Sequence, residues 1–290
     1  MKVTIRYHSS YRYPEPVAFS PHTFRILPKA DRFFVVQQLA FETNADTDVQ
    51  FRRDLFDNEV AYCFYRERSA DLHIEMRATL DVQEKNPFHF LLESRAVDFP
   101  FSYDEREREV LAPFLKNEGG TPFELPFWKP EPKPTVTALI DLNESIFKNI
   151  HYQRRETGGP HSPHETLRLG VGACRDLAVL LAAALRGAGV ASRLVSGYLC
   201  EFGSGEKKAL NALHAWTEAY LPGAGWIGFD PTNGIFCNHN HLATAVGLTP
   251  ADITPVTGSF YGKRMPAEMS LSIELAPAED EAALVTDARG

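Results

Sequence analysis

Hydrophobic and polar residues alternate along the first part of the chain. Val3, Ile5 and Tyr7 are interleaved with Thr4, Arg6 and His8, the period of two that a half-buried strand shows. Residues 49–52 and 58–65 repeat the pattern around a turn signal at Asp57-Asn58, and Leu72, Ile74, Met76, Leu80 and Val82 continue it. Short strands separated by turn residues predict a mostly-β, sandwich-like unit. No catalytic constellation stands out within it.

The period then lengthens. Ser102-Tyr103-Asp104-Glu105 has the form of a capping box, opening a helix that runs toward Leu111 and stops before Pro113. The charge run from 104 to 109 reads as its solvated face. Gly119 and Gly120, followed by prolines at 122, 126, 130, 132 and 134, exclude helix and central strand and mark a linker. Beyond it Leu139, Leu142, Ile146 and Ile150 recur at steps of three and four, one apolar face of a helix. Ser162 caps another helix, with Pro163 at its first position and Gly170 as its stop. A further helix starts near Cys174. Its run from Leu177 to Leu185 is apolar on all sides, which predicts burial in the centre of the domain.

Strands are expected next at 190–199, 213–220 and 226–230, with two more candidates at 253–261 and 269–275. No internal repeat is visible. The expected organisation is an N-terminal β-domain over 1–118, a Pro-rich linker over 119–134, a second, α+β domain over 135–276 and an acidic tail over 277–290.

A chain of 290 residues suits two domains, and its 44% hydrophobic and 23% charged residues are those of a globular protein. The net charge of −8 weighs against nucleic acid and against an anionic membrane surface as partners. No apolar run approaches the roughly 18 residues of a membrane span, and residues 1–7 lack a signal-peptide core. A cytoplasmic location is expected. The four cysteines, at 63, 174, 200 and 237, form no CxxC pair, so neither a zinc site nor disulfides are expected.

One of those thiols stands apart. Cys174 follows Gly170-Val171-Gly172-Ala173 at the start of the buried helix, where free N–H groups and the helix dipole favour a thiolate. The glycines leave room for a substrate backbone. His214 opens a strand-like segment and can take a thiol proton; Asp230 ends the next strand and can fix the histidine's tautomer. Each alone has a plainer reading: a small core residue, a satisfied structural histidine, an Asp-Pro turn initiator.

Taken together, the segments Gly-Val-Gly-Ala-Cys-Arg-Asp-Leu-Ala (170–178), His-Ala-Trp-Thr-Glu (214–218) and Gly-Trp-Ile-Gly-Phe-Asp-Pro-Thr-Asn-Gly (225–234) resemble the three core motifs of the transglutaminase-like superfamily in order and spacing. Residues 11–17 with His22, Arg25 and Pro28 are similar to the N-terminal β-domain of its bacterial branch, to which cysteine-protease activity is often ascribed. The resemblance implies a papain-like α+β catalytic core, with helices packed on an antiparallel sheet. It also implies a Cys174, His214, Asp230 catalytic triad and a thioester intermediate resolved by water or by an amine.

The implied reaction is cleavage or transfer of an amide bond in a peptide or protein substrate, with hydrolysis favoured, no cofactor and no metal. The alternatives are a protein-glutamine cross-linking transglutaminase, a peptide glycan amidase, and a non-catalytic protein- or peptide-binding module that keeps the fold. The N–H of Cys174 is the natural first oxyanion donor. Tyr152 is the candidate for the second, with core packing as its other reading. Trp216 alternates back to the face of His214, where it can shield the His–Asp bond or simply pack. Asp176 is expected to face away from the thiol in a structural role. The segment Cys237-Asn238-His239-Asn240-His241 holds ligand-type side chains but lacks a fourth ligand, and no calcium loop of EF-hand form occurs.

Overall fold

The computed structural model describes residues 1–44, 46–117, 123–155, 158–200, 212–263 and 265–278. The first unit contains β1 (Lys2–Phe19), β2 (His22–Phe24), β3 (Phe34–Thr43), β4 (Thr47–Arg53), β5 (Glu59–Tyr65) and β6 (Ser69–Val82). The alternation read from the sequence sets the register of its central pair. Val3 faces Leu80, Ile5 faces Ala78 and Tyr7 faces Met76, all buried between two sheets. β3 extends this sheet on the far side of β6, while β2, β5 and β4 form the opposite sheet. The sequence pattern did not signal β3. A bulge between Val36 and Gln38 breaks its period, and most of its side chains stay partly or fully exposed at the edge.

Between the units β7 (Asp98–Phe99) is followed by α1 (Glu105–Leu111), and then by β8 (Lys133–Pro134), which pairs with β7. The cap of α1 is Asp104, not Ser102. Asp104 accepts the Glu107 N–H, and the Glu107 carboxylate accepts the Asp104 N–H in return. The expected linker at 119–134 is only in part testable, since 118–122 lie outside the described residues. From residue 123 onward the segment is not a free spacer: Phe123 and Leu125 are buried in the core of the second unit. Aromatic and aliphatic anchors thus tie a proline-rich strap down without needing helix or strand. Phe99, in the stretch expected to belong to the first domain, joins the same core.

The second unit contains α2 (Thr135–Asn149), β9 (His151–Tyr152), α3 (Pro163–Leu169), β10 (Val171–Gly172) and α4 (Cys174–Gly187). Beyond them come β11 (Ser192–Leu199), β12 (Ala212–Leu221), β13 (Gly225–Asp230), β14 (Ile235–Phe236) and β15 (His241–Gly247). These strands form one antiparallel sheet in the order β14-β13-β12-β11-β15. The apolar face predicted for α2 is the buried one: Leu139, Leu142 and Ile146 lie in the core with Leu177, Leu180, Leu181 and Leu185 of α4. Each such leucine contributes about 2 kcal/mol through burial. Small residues set how closely α4 approaches the sheet. Ala178 and Ala182 meet Ala215 and Ala245, and the Thr217 hydroxyl donates to the Ala178 carbonyl at 2.8 Å. Among the described residues no helix is long and apolar enough to cross a membrane.

The chain finally returns to the first unit. The segment 253–261, expected as one strand, is a helical turn at 250–253 followed by β16 (Val256–Thr257) on β2 and β17 (Phe260–Tyr261) on the end of β1. β18 (Glu268–Pro277) then runs antiparallel to β1, with Ile5 opposite Leu275. Three strands that follow the helical turn, all before or within residue 277, therefore complete the sheets of the first unit. Of the expected tail at 277–290, residues 279–290 lie outside the described residues. The two units share their packing: Tyr198 and Leu242 are buried in the sandwich core, and the Tyr198 hydroxyl donates to the Ile26 carbonyl at 2.8 Å.

Candidate active site

Local geometry delivers Cys174 to its place. Gly170, in the left-handed region at φ 68°, ends α3 and turns the chain into β10, which runs parallel to β9 with Gly172 beside Tyr152. A Cβ on Gly172 would stand 2.9 Å from both the Asp176 Cβ and Leu177 Cδ1. This glycine therefore serves the packing of α4 rather than leaving room for a substrate. Cys174 is the first residue of α4, and among the described residues its own N–H makes no hydrogen bond.

The first turn of α4 is tied down by Asp176, which is completely buried. Its carboxylate accepts the Ala173 N–H (2.7 Å), the His161 N–H (2.7 Å) and both terminal nitrogens of Arg155 (2.8 and 2.9 Å). Arg175 anchors the same loop by donating to the carbonyls of Arg155 and Gly158. Asp176 thus has the structural role expected of it, though it is held inside rather than turned to solvent.

His214 and Asp230 come together across β12 and β13. Thr217 pairs with Phe229, which brings Asp230 to the His214 end of the sheet. His214 Nε2 lies 2.9 Å from Asp230 Oδ2, with both side chains fully buried. The other ring nitrogen, Nδ1, is buried with no partner besides the Cys174 thiol, whose ionisation is coupled to this ring. Asp230 is held firmly: Oδ1 accepts the N–H groups of Thr232 (2.9 Å) and Asn233 (3.3 Å), and Oδ2 also accepts Asn233 Nδ2 (2.7 Å) and His241 Nε2 (3.2 Å).

This arrangement separates one thiol from the other three. Burial pushes Cys63 and Cys200 up to about 12 and holds Cys237 well above its ordinary value. Cys174 is the one cysteine that is partly exposed. Its incomplete hydration disfavours the anion, but the hydrogen-bonding and charge of His214, with the Ala215 N–H, outweigh that and lower its pKa. For His214, burial disfavours the imidazolium, yet the charge and hydrogen bond of Asp230, with the thiolate behind them, raise its pKa to about 10. Asp230 is also penalised by burial, and the two histidines nonetheless hold it well below the ordinary carboxylate range. The three shifts run in the directions that favour a thiolate, an imidazolium and a carboxylate.

Burial and the charge of Cys174 raise the Tyr152 pKa, so its phenol stays protonated. The Trp216 indole stacks on the His214 ring at 6.3 Å and meets the His241 ring edge-on at 5.4 Å. Its room comes from Gly197, where a Cβ would lie 2.7 Å from the indole. The ligand-type atoms of His214, Asp230 and His241 lie within 4.8 Å of one another. Both imidazole Nε2 atoms lie within hydrogen-bond distance of Asp230 Oδ2, at 2.9 and 3.2 Å.

Residues 127–231 match the model of the transglutaminase-like superfamily, and residues 3–81 that of the bacterial transglutaminase-like N-terminal region. The chain thus joins a bacterial transglutaminase-like N-terminal region to a transglutaminase-like core. An uncharacterized protein of Mycobacterium tuberculosis (strain ATCC 25618 / H37Rv) is 25% identical over 96% of this chain and 93% of its own length. One of Mycobacterium leprae (strain TN) is 30% identical over 46% of this chain and 47% of its own. A solved structure named "Putative Cysteine Protease", from Cytophaga hutchinsonii, superimposes with a TM-score of 0.68 at 19% identity, covering 97% of this chain and 92% of that one, which establishes the shared fold.

Within this transglutaminase-like core, sequence reasoning missed Arg155, Asn233 and His241 as parts of the site. Asn233 lies inside a motif segment and was readable as a neighbour of Asp230. Arg155 carried no signal and His241 only that of a ligand-type side chain in the 237–241 segment, since their roles depend on where loops return in space.

Proposed function

We propose that the chain is a cysteine-dependent amide-bond hydrolase or acyl transferase acting on peptides or proteins, with hydrolysis as its main outcome. One observation carries this reading: the partly exposed Cys174, at a helix N-terminus, is coupled to a buried imidazole whose far nitrogen is fixed by Asp230 and whose near nitrogen is otherwise unused. In the reaction the Cys174 thiolate attacks the amide carbonyl and the oxyanion is met by the Cys174 N–H, with the Tyr152 hydroxyl as second donor. The His214 imidazolium gives its proton to the departing amine as the C–N bond breaks, leaving a thioester. Water, deprotonated by His214, then attacks the thioester and releases the acid and the thiolate. Trp216 keeps bulk water from the His214–Asp230 bond. A reducing compartment, the cytoplasm, belongs to the same reading, since all four cysteines are free thiols.

The test is limiting iodoacetamide at mildly acidic pH, with the labelled peptide located by mass spectrometry. Selective labelling of Cys174, lost in His214→Ala, is the expected result. Slow or indiscriminate labelling of all four cysteines would overturn the catalytic reading and favour a non-catalytic binding module. With amide substrates, an added primary amine separates transfer from hydrolysis by its appearance in the product.

A further inference from the structure

We infer that His241 is a positioning residue of this site, sharing the Asp230 carboxylate with His214 and so limiting how firmly the His214 imidazolium keeps the proton it must deliver. The inference rests on the catalytic reading above. Its first support is crowding at one oxygen. Asp230 Oδ2 accepts Asn233 Nδ2 at 2.7 Å, His214 Nε2 at 2.9 Å and His241 Nε2 at 3.2 Å. A carboxylate oxygen offers about two lone-pair directions, so three donors compete for them and each draws on the same negative charge. Removing one leaves more of that charge to the others.

The second support is the tautomer. The Asn238 backbone N–H is directed at His241 Nδ1 at 3.2 Å, which leaves the ring proton on Nε2, facing Asp230. A proton on Nδ1 would oppose that fixed N–H, even though Asn238 Oδ1 lies 3.3 Å away on the same ring nitrogen. His241 is thus a neutral donor, whereas His214 can be a charged one. The surroundings agree. Burial first, then the positive charges of His214 and Lys85, keep His241 uncharged against the pull of Asp230. The other ionisable groups facing the cluster are Cys174 from α4, Tyr152 from β9 and the buried Cys237.

The third support is placement. Gly197 on β11 pairs with His214 on one side and with Ala243 on the other, and His241 lies two residues from Ala243 on the same face. The two imidazoles therefore approach across a strand that has no side chain between them, 6.2 Å apart. The Trp216 indole closes the space against both. A histidine with a merely structural role would not need its donor nitrogen on the carboxylate that holds the reactive imidazole.

The experiment measures the rate of Cys174 alkylation by iodoacetamide against pH. A thiolate–imidazolium pair gives two inflections, and the upper one reports loss of the imidazolium proton. His241→Phe, which keeps a ring but no donor, is expected to move the upper inflection upward by about half a pH unit. His241→Gln, which can place an amide N–H on Asp230, is expected to restore the wild-type value. An unmoved or lowered upper inflection in a folded His241→Phe protein would overturn the inference. Wild-type protein lacking the selective low-pH reaction at Cys174 would instead overturn the catalytic reading. Should His241→Phe not fold, imidazole nitrogen NMR of the wild-type chain answers alone. His241 protonated only on Nε2 at neutral pH supports the inference, while an imidazolium or an Nδ1–H tautomer there refutes it.

Discussion

At His214, two physical effects of opposite sign act on a single ring. Burial alone would leave it neutral, and the Asp230 carboxylate reverses that outcome. The consequence is a pH-dependent contribution to stability whose sign can be worked out. A group whose pKa rises on folding stabilises the fold fully below its ordinary value of about 6.5, and that stabilisation fades as pH climbs through the raised value. The cleanest comparison removes the thiol. In a Cys174→Ala background, adding Asp230→Asn should lower the melting temperature more at pH 6 than at pH 10. A gap independent of pH would mean that His214 is neutral in the folded chain. Asp230 itself is held low, so its contribution is present above about pH 4 and is lost only as pH falls through its depressed value.

At the scale of elements, the critical junction is the start of α4. The helix is long and apolar, but what aims its first residue is the loop carrying Arg155 and His161, bound through Asp176. Arg155→Ala would leave the buried Asp176 carboxylate without its guanidinium partner, at a cost of about 3 kcal/mol by equilibrium denaturation. The same change should slow Cys174 alkylation, because the helix N-terminus loses its brace. A variant of wild-type stability and reactivity would show the loop to be incidental.

The elements also show what a sequence can and cannot disclose. The helices over 135–149 and 174–187 and the strands expected at 190–199, 213–220 and 226–230 were legible, because period and caps are local. Cys174, His214 and Asp230 were legible as a set through their motif segments, and the structure brings them together. β3 was not legible, since a bulge spoils its alternation, and neither was the fate of 269–275. Its strand character is local, but its partner β1 lies some 260 residues earlier in the chain. Likewise His241 reads as one polar residue in a polar segment until β15 lays it beside Asp230.

At the scale of the whole molecule, the β-domain is a structural partner of the core rather than an appendage. Asn58 illustrates this: its side-chain amide donates to the Val246 carbonyl and its oxygen accepts the Val246 N–H, both at 2.8 Å and both buried. Replacing it by alanine leaves two backbone groups of β15 without partners, and β15 begins at His241. Asn58→Ala is expected to cost about 2 kcal/mol in chemical denaturation. It should also leave unfolding a single cooperative transition, since Tyr198 and Leu242 still bridge the units. Two separate transitions would mean that the units are stable independently.

The return of β18 to β1 has a consequence for how the molecule is made. Synthesis proceeds from the N-terminus, so β1 meets β6 early, while its other edge stays unpaired until residues 268–277 have emerged. For most of translation the nascent sandwich therefore displays an open strand edge, the kind of surface on which chains pair with the wrong neighbour. The first sheet is in this sense completed only after the whole α+β core has been produced.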